Sequence, residues 1–478
     1  MINKLKEDTN YNNSIIYREL NINKTKIFIV YFEPLTSSIK ISDFVIRSLN
    51  KIKKTYNNKK LYDHIKNNID SFKVVDFKTY DDLCLYLNRG FTILLIENSD
   101  YALALETKSD QTRSISTPTS ENTLRGAKDS FVEEYQPNIG MIKKRIRSNN
   151  LWIEEVNCGK YTNTQIGILS INTIVNNDSV KEIKKRINSL DIEGIINGEM
   201  LKNLIEQESK SIFPTIQTTE RPDIVCNSLL QGKIAIIVDN SPYALILPVV
   251  LNDFFKTSED YYGKNKNVTI TRIIKYIALF IALLTPAIYI SLITYNQEII
   301  PTKLLVEFAV QRDGVPFPPV IEALIMIICF EILRESDYRN PNLGGSALSI
   351  VGALILGDAA VSAGIVSPIM IIVIAITAIS SLPFSEPDIT NALRWYRILF
   401  IFGASIFGLL GIVLSLFIFL TKLCSIETFK VPYLTPYSPT IFSSLKDSII
   451  KFPTKKLNKR NKLLTKNIIK QKGDENES

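Results

Sequence analysis

Two uncharged stretches, residues 276–295 and 398–421, constrain this chain more than any other feature. At about 1.5 Å per residue each is long enough to cross the hydrocarbon core of a bilayer, roughly 30 Å thick. Tyr closes the first at both ends, where amphipathic rings favour the interface, and Arg394, Arg397 and Lys422 bracket the second. A helix of that length in a soluble protein would keep a polar face. Both stretches therefore read as transmembrane helices. The average composition, 46% hydrophobic and 22% charged, hides a division. Up to about residue 270 the chain is polar and rich in Asn, Lys and Ile, whereas from 273 to 424 uncharged runs dominate.

The polar half repeats itself. Residues 90–105, GFTILLIENSDYALAL, align without gaps on 232–247, GKIAIIVDNSPYALIL, at an offset of 142. They share Gly90/Gly232, Asn98/Asn240, Ser99/Ser241, Tyr101/Tyr243, Ala102/Ala244, Leu103/Leu245 and Leu105/Leu247. IFIVYF matches IGILSI at an offset of 139, and HIKNNI matches MLKNLI at 136. Offsets that differ only by loop-sized insertions indicate two copies of one supersecondary unit, with convergent hairpin chemistry as the alternative. Each copy is expected to be a small α/β lobe whose apolar hairpin is covered on both faces by helices.

Between the copies, TKSDQTRSISTPTSENTLRGAKDS has the composition of an exposed linker. Beyond it, Phe131, Ile139, Ile142 and Ile146 can form an apolar stripe beside Lys143, Lys144, Arg145 and Arg147. Such a basic amphipathic helix is either solvated or laid against acidic lipid headgroups or a partner. The five cysteines are scattered and His64 is the one histidine, so neither a zinc set nor a catalytic triad can be assembled. No phosphate loop or nucleophile–base pair occurs. The pattern points away from an enzyme, from a cofactor and from nucleic acid. The opening MINKLKEDTNYNNS lacks the apolar core of a secretory signal.

Three further apolar segments lie between the two long ones. Residues 319–333 carry Glu322 and Glu331. Gly345, Ser349, Ala353 and Gly357 recur every four residues, a stripe that lets helices approach closely, and Asp358 and Ser362 follow. Residues 369–382 form the third. A carboxylate at membrane depth costs about 2.5–3.5 kcal/mol, so water, a cation or a base must compensate. Arg334 or Arg339 can pair with Glu331, but no Lys or Arg occurs between Asn340 and Asn391. Basic residues before 276 and after 446 place both flanks on the cytoplasmic side, which requires an even number of crossings. Five segments give an odd number, so either 347–382 crosses once as a broken element or 243–255 enters the bilayer.

The motifs FPTIQTTERPD (213–223), GKIAIIVDNSPYALILP, QRDGVPFP (311–318), EALIMIICFEILRE (322–335), GGSALSIVGALILGDAAVSAGIVSP and VPYLTPYSP (431–439) together resemble the A subunits of GerA-family spore germination receptors. The resemblance covers roughly residues 125–450. It implies an inner-membrane protein of dormant spores that senses nutrients with a transporter-like B subunit and a lipoprotein C subunit, assembling into a homo-oligomeric ring that passes cations. Two departures stand out. Arg125, Gly126, Ala127 and Lys128 replace an Arg-Gly-Pro-Arg opening, and Asp358 stands where a Gln is common.

The expected architecture is an α/β tandem-lobe soluble N-terminal region followed by an α-helical polytopic membrane domain and a short basic C-terminal tail. The boundaries are 1–110 for the first lobe, 111–150 for linker and basic helix, 151–255 for the second lobe, 256–426 for the membrane domain and 427–478 for the tail. Asp358, Glu322, Glu331, Gly357 and Ser362 are candidates for an ion path. Arg125, Glu220, Arg221 and Asp223 are candidates for structural or inter-subunit contacts. A non-conducting scaffold is the alternative, provided that each membrane carboxylate is paired with a base.

Overall fold

The computed structural model describes residues 1–469 apart from 23–24, 53–57, 72, 98, 100, 110–116, 122, 124–125, 207–210, 340–356, 385, 454–456 and 468. The first lobe holds strands β1 (Ile15–Ile22), β2 (Thr25–Phe32), β3 (Val74–Phe77), β4 (Phe91–Ile96) and β5 (Ala102–Glu106). The second holds β6 (Leu151–Cys158), β7 (Thr164–Ile171), β8 (Gln217–Thr219), β9 (Ile234–Val238) and β10 (Ala244–Leu247). Both sheets are antiparallel with one strand order, β1-β2-β4-β5-β3 and β6-β7-β9-β10-β8.

The match reaches individual pairs. Ile29 faces Leu94 in the first lobe, and Ile168 faces Ile236 in the second. Phe77 faces Ala102, as Thr219 faces Ala244. These pairs are related by the offsets of 139 and 142 read from the sequence. The first shared residue of the repeat has a backbone reason: Gly90 and Gly232 have φ of +80° and +94°, open to glycine at the entry to β4 and β9.

Each sheet is covered on both faces. Under its own helices the first lobe buries Ile27, Ile29, Val45, Leu49, Leu61 and Ile65, and the second buries Ile166, Ile168, Ile183, Ile187, Leu201 and Ile205. The opposite faces share one core with the helix Tyr135–Arg145, which lies between the lobes. Its apolar stripe is buried together with Lys143, while Lys144, Arg145 and Arg147, the rest of the basic cluster, remain exposed. Residues 243–255, a possible membrane segment by sequence, instead form β10 and the turn Leu251–Phe255 within the second lobe.

Among the described residues two helices are long and apolar enough to cross a membrane, Asn265–Thr294 and Pro387–Ser425. The second departs from the expectation of a single span over 398–421. At Gly408 the backbone takes φ 59° and ψ −137°, and the chain reverses. Tyr396 packs on Phe419 with ring centroids 4.9 Å apart, whereas 23 residues of unbroken helix would separate them by about 35 Å. The result is a helical hairpin. Its tip rests on the end of Asn265–Thr294, where Asn296 Oδ1 accepts from Leu409 N at 3.3 Å and Tyr295 donates to Ser405 O at 2.9 Å. Small residues permit the reversal: Gly403 and Gly411 meet backbone to backbone.

Helices Thr302–Arg312, Pro319–Arg339 and Pro368–Ile379 also belong to the described part of the bundle. The tail then returns to the second lobe. Phe429 enters the lobe's core, Lys466 N donates to Ile174 O at 3.0 Å, and Thr465 covers Gly232.

Candidate functional site

Three polar assemblies contain the charged groups of interest. The first joins the linker to the second lobe through the TTERPD motif. Arg221 is 1% exposed, and its guanidinium donates to Asp223 Oδ1 (3.1 Å) and Oδ2 (2.9 Å), Glu121 O (3.1 Å), Thr123 Oγ1 (3.1 Å) and Ala127 O (2.9 Å). Pro222 starts the following helix at a position that needs no N–H, which turns Asp223 back towards Arg221. Glu220 accepts from Ser120 N (2.6 Å), Ser120 Oγ (2.7 Å) and Glu121 N (2.9 Å). Tyr262 donates to Asp223 Oδ2 at 2.6 Å.

One planar fork thus holds three points of the linker and one carboxylate, a geometry that an ammonium cannot reproduce. Arg125 lies outside the described residues. Glu121, absent from the sequence candidates, accepts from Thr219 Oγ1 and Glu220 N. Burial pushes its carboxyl up to about 7. No spacing in the sequence ties Glu121 to Thr219, since the contact exists only once the linker folds back.

The second assembly joins the second lobe to the bundle. Lys202 is 2% exposed and lies 2.5 Å from Asp388 Oδ2 and 3.7 Å from Glu386 Oε1, at the foot of the hairpin. Burial opposes the Lys202 charge, but Glu386 and Asp388 outweigh it and raise the amine above its ordinary range. Burial pushes Glu386 up to about 8 even with Lys202 nearby. Beside it, Arg272 reaches Asp260 Oδ2 at 2.7 Å and Asp447 Oδ1 at 3.0 Å, and Lys256 reaches Asp447 Oδ2 at 3.1 Å. Burial disfavours the Asp447 charge, yet these two cations hold its carboxyl below the usual range.

The third assembly contains the carboxylates of the bundle. Glu322 is fully buried; its Oε2 accepts from Ser367 N (3.0 Å) and Oγ (2.9 Å), and its Oε1 lies 3.2 Å from Arg312. Glu331 pairs with Arg334 at 2.8 Å, as the sequence allowed, and with Arg394 of the hairpin at 3.1 Å. Asp358 is brought to neither. It occupies the short helical stretch 357–362, where Gly357 is buried against Ile371 while Asp358 and Ser362, one turn apart, are exposed. Among the described residues Asp358 has no ion pair. The first three members of the small-residue stripe before it, Gly345, Ser349 and Ala353, lie outside the described residues.

Residues 3–463 match the family of Bacillus/Clostridium GerA spore germination proteins. The chain is 37% identical over 457 residues to spore germination protein KA of Bacillus subtilis (strain 168), covering 95% of this chain and 84% of that protein. It is 32% identical to spore germination protein GerLA of Bacillus cereus, covering 96% of this chain and 94% of the relative. The crystal structure of the N-terminal domain of the A subunit of the Bacillus megaterium spore germinant receptor GerK3 is 28% identical, with a TM-score of 0.40 over 52% of this chain and 94% of that one. The chain belongs to the GerA family of spore germination proteins.

Proposed function

We propose that this chain is the A subunit of a nutrient germinant receptor in the spore inner membrane, acting with B and C subunits, and that its bundle oligomerises into a cation-conducting channel. The observation that carries the channel reading is the face of residues 357–362. Asp358 and Ser362 turn away from their own chain without a basic partner among the described residues. Symmetric assembly would gather one Asp358 per subunit about an axis, and a ring of negative charge attracts cations. The hairpin returns to the side it left and so adds no net crossing; the other four apolar segments of the sequence then make an even number, with both flanks on the cytoplasmic side. The role is one of binding and conduction rather than catalysis.

A non-conducting scaffold is the second reading, and a specific observation favours it. Glu322 and Glu331 are both neutralised by arginines, so neither needs an ion. Recording from the purified chain in a planar bilayer separates the two. Cation-selective current supports the channel; a chain that inserts and oligomerises without current is a scaffold.

A further inference from the structure

We propose that residues 441–452, IFSSLKDSIIKF, form an anchor in the headgroup layer of an anionic leaflet, beside the base of helix Asn265–Thr294. The proposal rests on the membrane reading above. The height of the bilayer surface follows from the helix itself. Arg272 and Lys275 are buried and face protein, whereas Ile270, Ile273, Ile274, Ile277 and Phe280 are exposed. The outward face is therefore apolar from Ile270, more than a turn before the uncharged stretch begins at 276. Lipid is the surrounding that fits a continuous apolar wall on this scale.

Residues 441–452 are fastened at that height. Lys451 N donates to Thr269 Oγ1 at 3.1 Å, and Arg272 donates to Ser448 O at 2.9 Å and Asp447 Oδ1 at 3.0 Å. Ser448 Oγ and Tyr276 OH both donate to Asn252 Oδ1 at 2.9 Å. With Asp447, Ser448 and the Lys451 N–H held by these contacts, the segment turns Phe442 (80% exposed), Ile450 (52%) and Ile449 outward. Lys446 on the segment and Lys264 and Lys266 at the start of the helix are exposed as well.

Apolar side chains next to lysines, level with the end of a spanning helix, have the chemistry of an interfacial anchor: the rings and branches enter the acyl boundary and the ammonium groups meet phosphates. A protein partner fits less well, because the patch is continuous with the wall that lipid covers. The anchor fixes more than itself. Asp447 and Ser448 hold Arg272, and the chain beyond them runs onto the second lobe, so anchoring sets the height of that lobe over the membrane.

The test uses the full chain with Phe442→Trp, reconstituted in phosphatidylglycerol or phosphatidylcholine vesicles with and without lipids brominated near the headgroup. Position 442 is exposed, so the substitution leaves packing intact. With Trp152→Phe in the background of every sample, the native Trp395, 64% exposed on the hairpin, reports insertion separately. The emission added by Phe442→Trp should be blue-shifted, and about half or more of it should be lost to bromolipid. The loss should be larger in phosphatidylglycerol, and Lys264→Glu with Lys446→Glu should abolish that difference. Water-like, unquenched added emission while Trp395 is quenched overturns the anchor and leaves the membrane reading standing; equal quenching in the two lipids overturns the anionic preference that defines it. An unquenched Trp395 instead counts against the membrane reading on which the anchor depends, and overturns both.

Discussion

Gly411 rests directly on the Gly403 carbonyl across the turn at Gly408, so the two arms of the hairpin meet without side chains between them. Gly411→Val would force them apart and should destabilise the purified chain by about 2–3 kcal/mol in thermal unfolding. The reversal has a direct check. Cysteines at Leu399 and Ser415, whose side chain lies 3.5 Å from Leu399 O, should cross-link within one chain. An unbroken helix would hold them about 24 Å apart, and absence of the cross-link would refute the hairpin.

Arg221→Ala should cost about 3–5 kcal/mol, because it leaves Asp223 buried without its base and frees three anchor points of the linker. Arg221→Lys should recover little. Protease cleavage within residues 117–130 at unchanged cleavage elsewhere is the readout; a linker as resistant as that of the parent would contradict the clamp.

Two of the raised carboxyls, Glu121 and Glu386, contribute a pH dependence. Glu121, near 7, and Glu386, near 8, hold protons in the folded chain that an unfolded chain releases near its ordinary glutamate value. Stability is therefore favoured at low pH and falls as pH rises through the window from about 4.5 to 8. Glu121→Gln should flatten the lower part of that fall, by on the order of 2 kcal/mol between its ends. Unfolding midpoints measured from pH 5 to 8.5 decide it; an unchanged slope would show that Glu121 is ionised throughout.

Lys202 and Asp388 link a lobe helix to the hairpin foot. In a double-mutant cycle of Lys202→Met and Asp388→Asn, a coupling of about 1–2 kcal/mol is expected, moderated by the exposure of Asp388. Additive effects would mean that lobe and hairpin are held together by packing alone.

If the channel reading holds, Asp358→Asn should lower cation conductance or selectivity with assembly intact, and Asp358→Lys should oppose cations more strongly. Unchanged single-channel currents in both would remove Asp358 from the path.

The central strands were legible because β2, β7 and the two hairpins are apolar and bounded by turn residues. The edge strands were not. β1 carries Arg18, Glu19 and Asn21, all three exposed, and β3 and β8 are too short to show a period. Gly408 escaped notice for a different reason: a turn surrounded by apolar side chains needs no polar punctuation, and only the cluster Gly403, Gly408 and Gly411 marks it. In the clamp, the Arg221–Asp223 pair could be read from adjacency, whereas Glu121 comes from a part of the chain about a hundred residues away. The pairing of Glu331 with Arg394 likewise depends on how helices pack, which a single helical pattern does not encode.

The return of the tail to the second lobe imposes an order of assembly. Phe429 fills that lobe's core and Thr465 covers Gly232, yet both are synthesised after the apolar bundle. A ribosome that has finished Leu247 has therefore made a sheet with an open seam. The lobe closes fully only once the residues from Phe429 to Thr465 have been made and can fold back. Truncation before Phe429 would yield a protein whose helices are complete and whose earlier lobe is not.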